Sequence, residues 1–146
     1  MTHDEICTYE VAKLAKKKGF NEECREFYCD DKSQKRITRI SCNRRVTSFD
    51  YCSNSMLEDY YPPYEYCYIA APTQSLLQRW IREEKGLCIS VEAYPTLAIK
   101  GKVCFAWVAK SGSDGHFMKS NDSLLNFSTY ELALEDALKY ALENLI

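Results

Sequence analysis

Apolar positions recur with helical spacing in three places along the chain. Cys7, Val11, Leu14 and Ala15 fall at i, i+4, i+7 and i+8, one face of a helix. Thr8 is placed to cap it, and Lys16, Lys17 and Lys18 crowd its last turn, where cations suit the negative end of the helix dipole. Gly19 supplies a left-handed position beyond the helix and Phe20 the following apolar contact. A second helix opens at Pro72 and Thr73, runs on the stripe Leu76, Leu77, Trp80 and Ile81, and closes with Lys85-Gly86-Leu87 as the first closes with Lys18-Gly19-Phe20. The third starts on Ser128-Thr129-Tyr130-Glu131, which has capping-box spacing, and buries Leu134, Ala137, Leu138, Ala141 and Leu145.

Between the helices the period shortens toward two. Residues 25–30 and 36–42 read as strands joined by a polar turn at 31–34. Residues 88–94 alternate, with Ile89, Val91 and Ala93 on one side, and 103–109 form a short apolar strand. The stretch 43–71 has no helical period. It holds six of the eleven tyrosines and the Pro62-Pro63 break, and reads as a long loop with a short extended piece near 65–69. The Ser-, Gly-, Asp- and Asn-rich stretch 111–126 reads as a surface loop. The expected fold is therefore α+β: one domain over 1–146, with about four mainly antiparallel strands in two hairpins and three helices packed on one face. Two helix–Lys-Gly-apolar–hairpin units hint at an internal repeat.

Composition fits that picture. The chain has 146 residues, 46% hydrophobic and 27% charged, enough to bury a core without metal or disulfide help. The net charge of -2 gives no global argument for a polyanion partner. Charge is nevertheless segregated. Residues 32–45 carry six bases and no acid, whereas 46–78 carry four acids and no base. No apolar run approaches the roughly 18 residues of a membrane helix, and the first ten residues lack the basic and apolar regions of a secretory signal. The expectation is a cytoplasmic protein with no membrane partner, whose eight cysteines stay thiols.

Candidate chemistry is sparse. The two histidines are His3, near the terminus, and His116, in the Gly-Ser loop. The pairs Glu22-Glu23, Glu83-Glu84 and Glu135-Asp136 sit where solvated helix ends and faces are expected. Neither Gly-x-Gly-x-x-Gly nor a P-loop occurs. Cys24, Cys29, Cys42 and Cys52 cluster in sequence, but no pair has Cys-x2-Cys spacing. No catalytic residue, metal or cofactor is therefore assigned. The tyrosine-rich segment suits protein recognition, since tyrosine offers large contact area at low entropy cost. It nominates Tyr51, Tyr60, Tyr61, Tyr64 and Tyr66 as the site of a non-enzymatic protein-interaction module with an unidentified protein partner. The alternative partner is nucleic acid, bound on Arg36, Arg39, Arg44 and Arg45 of the basic first hairpin.

Three blocks carry a resemblance: residues 8–20 (TYEVAKLAKKKGF), 71–83 (APTQSLLQRWIRE) and 130–138 (YELALEDAL). Together they cover about a quarter of the chain and resemble small uncharacterised proteins encoded by gut bacteria and their phages or mobile elements. The resemblance implies an accessory role in a phage or mobile element and brings no site residue with it.

Overall fold

The computed structural model describes residues 5–31, 36–41, 51, 53–60, 67–95, 103–121 and 127–146. They form two compact units, Ile6–Thr73 and Gln74–Ile146, the latter joined by Glu5, whose carbonyl oxygen accepts the Gln74 N–H at 2.7 Å.

In the first unit, α1 spans Tyr9–Lys17. The Thr8 hydroxyl accepts the Val11 N–H at 3.4 Å, satisfying one of the orphan donors of the first turn. Val11, Ala12 and Ala15 are buried. The helix stops at Gly19, whose φ of 97° a side-chain-bearing residue rarely adopts, and the Phe20 N–H turns back to the Ala15 carbonyl. Strands β1 (Glu26–Asp31), β2 (Arg36–Ser41) and β3 (Cys67–Ala71) make an antiparallel sheet in the order β2-β1-β3. Both helix α1 and a further helix, α2 (Asn54–Tyr60), pack on β3. Tyr68, Ile69, Ala70 and Ala71 are accordingly all buried, so this strand shows no alternation.

Helix α2 lies inside the stretch expected to be a loop. Its seven residues give too little length for a helical period, and Leu57 is a deeply buried apolar residue on it. A tertiary clasp holds it instead. The Asn54 side chain donates to the Phe20 carbonyl at 2.8 Å and accepts the Ala70 N–H at 2.9 Å. The extended piece expected near 65–69 is β3, displaced two residues toward the C-terminus.

In the second unit, α3 (Gln74–Lys85) buries Leu77, Trp80 and Ile81 and ends at Gly86, φ 67°. Strands β4 (Leu87–Pro95), β5 (Val103–Ser111) and β6 (Phe117–Ser120) follow as an antiparallel meander in sequence order. Helix α4 (Tyr130–Tyr140) is capped by Thr129, whose hydroxyl accepts the Leu132 N–H at 3.1 Å, and runs on through a wider π-type turn, Ala141–Leu145. Strand β6 lies in the second stretch expected to be a loop. It is short and exposed, so no apolar pattern marks it; backbone pairing with β5 defines it. The α+β class and the antiparallel hairpins stand, while the strands divide into two three-stranded sheets and the helices number four among the described residues.

Both α3 and α4 pack on the same side of β4–β5–β6. Leu87, Ile89, Trp107 and Ala109 are buried there, and the Trp107 indole N–H donates to Asp136 of α4 at 2.8 Å. The opposite, outer face carries no helix among the described residues.

Candidate interaction site

The Gly112 N–H donates to the Gly86 carbonyl at 2.6 Å, which makes Gly86 and Gly112 a bonded pair and sets the alternation along the β4–β5 ladder. Side chains alternate with it. Cys88, Ser90, Glu92 and Tyr94 of β4 lie on the outer face, opposite Lys110, Val108, Ala106 and Cys104 of β5. On the third strand Ser120 pairs with Val108, and a bulge sets Phe117 across from Lys110.

Small side chains in the middle of this face leave a hollow of about 460 Å³, bordered by Glu92, Tyr94, Ala106, Val108, Lys110 and Ser120. Ala106 and Val108 give its lining apolar groups, and Ser120 and Asn121 give it polar ones. Glu92 and Lys110 are the outer-face charges on the three strands and stand at opposite ends of the hollow, one strand and four residues apart, roughly 14 Å. The Tyr94 hydroxyl donates to the Glu92 carboxylate at 2.6 Å. That bond, together with the carboxylate charge, raises the Tyr94 pKa above its ordinary value. Tyr94, which borders the hollow, is 50% exposed, and Phe117 and Met118 at the start of β6 are 55% and 42% exposed.

The proposed tyrosine site is only partly described. Tyr51 is 49% exposed and Tyr60 is the last residue of α2, whereas Tyr61, Tyr64 and Tyr66 lie outside the described residues. Of the four arginines, Arg44 and Arg45 also lie outside them. Arg36 is across from Asp31, and Arg39 is across from Tyr28.

Cys24 is buried, Cys29 is on β1, and Cys42 and Cys52 lie outside the described residues. Among the described residues no group of three or more histidines, cysteines or carboxylates could hold a metal ion. His116 is exposed in the turn before β6, with its backbone N–H on the Asp114 carboxylate at 2.9 Å. Glu135 and Asp136 are engaged structurally, Glu135 by the buried Gln74 side chain at 2.8 Å and Asp136 by Trp107. No helix among the described residues is long and apolar enough to cross a membrane.

The outer-face residues were not singled out from sequence, yet a signal was present. The run Val-Cys-Phe-Ala-Trp-Val-Ala at 103–109 is apolar at every position, and such a run marks a strand with apolar groups on both faces. No family model, curated protein or solved structure matches the chain.

Proposed function

We propose that this chain is a non-enzymatic protein-interaction module of the cytoplasm, which receives a protein partner on the outer face of β4–β5–β6. One observation carries the reading: β5 is apolar at every position from Val103 to Ala109, while helices cover only one of its faces in the described structure. Burying such a face contributes about 25 cal/mol per Å² of apolar surface, and an exposed aromatic group such as Tyr94 is a typical anchor for that burial. The tyrosine-rich stretch beginning at Tyr51 belongs to the other unit and is a separate candidate of the same chemical kind. We read the three helical blocks as resembling small uncharacterised proteins of gut bacteria and their phages, and on that reading an accessory role is part of the proposal.

A photo-crosslinking side chain placed at position 108 tests the reading in cells. It should give discrete protein adducts that disappear when Tyr94→Ser and Phe117→Ser are added. The same group at exposed Arg79 on α3 serves as the control. Equal adduct patterns from the two positions would sink the proposal for this face. Changing Tyr60, Tyr61 and Tyr64 to serine asks the same question of the tyrosine segment.

A further inference from the structure

We propose that the partner received on this face is a second copy of the same chain, paired sheet to sheet about a twofold axis. The inference rests on the interaction reading above and supplies its occupant.

The argument is one of self-complementarity. A twofold interface places each surface feature against the copy of another, so a face that carries a donor must also carry its own acceptor. The outer face does. With strands about 4.8 Å apart and about 3.3 Å per residue, one axis lying between two stacked sheets exchanges the positions of Glu92 and Lys110. It passes between Ser90 and Val108, small groups that allow close approach. Glu92 of each copy then meets Lys110 of the other, giving two ion pairs of opposite polarity across the axis.

One further match follows from the same axis. The same rotation carries Tyr94 over the end of β6 in the second copy, where Phe117 and Met118 are exposed, so the largest apolar groups of the face cover one another. Lys110 has no ion-pair partner among the described residues, and one Glu92 oxygen holds only the Tyr94 hydroxyl. Both charges are therefore available for the exchange. The contact is small, about two strand spacings by seven residues, below the ~1,200 Å² of total burial usual in stable complexes. The pairing is thus a reversible one, with a dissociation constant on the order of tens to hundreds of micromolar.

Sedimentation equilibrium of the full chain reads this directly. The unmodified protein should self-associate. Glu92→Lys alone and Lys110→Glu alone should each weaken association by about tenfold or more, because like charges then face each other twice. An equimolar mixture of the two single variants should associate, since every Glu92–Lys110 contact becomes complementary again between unlike copies. The double variant should return to within about threefold of the unmodified protein. Circular dichroism checks that each exposed substitution leaves the fold intact. A monomer up to about millimolar concentration, or single variants that stay apart on mixing, would overturn the second-copy proposal. Adducts from position 108 to other proteins, with the purified chain monomeric, would overturn it while leaving the interaction reading in place. Loss of both would end the two together.

Discussion

Cys24 is buried, with its thiol directed to the Glu22 carbonyl oxygen at 3.6 Å. Burial first, and the Glu22 charge second, push its pKa from 9.0 to about 12. The folded chain thus holds the neutral thiol. Below pH 9 both folded and unfolded chains keep the proton, so stability does not depend on it. Between about 9 and 12 only the unfolded chain loses the proton, and stability should fall by about 1.4 kcal/mol per pH unit relative to Cys24→Ala. Denaturant titrations of the two proteins across that range measure the difference. Parallel pH profiles would show that the thiol is not buried. Alkylation offers a second readout: Cys88 and Cys104, half-buried on the outer face, should react before Cys24 in the native protein. The sequence placed Cys24 in a cluster of four and could not say that its neighbour would be a carbonyl oxygen. Thiol reactivity depends on burial, which comes from packing.

Amide side chains complete the strands at the level of the elements. Asn54 pairs with Ala70 of β3, the Gln78 side chain donates to the Ile89 carbonyl of β4 at 2.7 Å, and Asn121 accepts the Trp107 N–H of β5 at 2.8 Å. Each occupies a backbone group turned away from a neighbouring strand or beyond its last residue. Unpaired groups of this kind invite pairing with another chain, so occupying them protects the sheet. Asn54 is 4% exposed and serves two backbone groups, so Asn54→Ala leaves both without partners. Such a loss costs about 2–3 kcal/mol, to be read from chemical denaturation. A change under half that size would mean that water replaces the amide. The three amphipathic helices were legible because each repeats its apolar residues over two or more turns and carries an end signal, Thr8 and Thr129 as caps of the first and last and Gly86 closing α3. Helix α2 and β6 were not. Contacts to Phe20 and Ala70 hold the first, and the β5 ladder holds the second, both remote in sequence.

Across the whole molecule, alternation predicted which side of β4 faces the core but not that its other side would be the more informative. Ile89 and Val91 are marked in the sequence by their apolar alternation, while Ser90, Glu92 and Tyr94 gain their setting only from the register, which pairs them with Val108, Ala106 and Cys104. Register is a relation between strands, and a single strand's pattern does not contain it. The candidate site was legible only as the unbroken apolar run of β5. The Asn54 clasp bears on something else, the lifetime of the protein after it is made. Slow hydrolysis of that one amide to a carboxylate would keep the acceptor for Ala70 but replace the donor by an oxygen facing the Phe20 carbonyl. A repulsive pair would then sit where exposure is too low for water to relieve it. Ageing at position 54 should therefore mark molecules for unfolding. Prolonged mildly alkaline storage should place the aspartate form of that peptide, followed by mass mapping, in the aggregated fraction and spare the soluble one. An even distribution between the two would show that the clasp tolerates the change. Where it does not, a single aged amide acts as a timer on the first unit, run down by chemistry that requires no protease and no mutation.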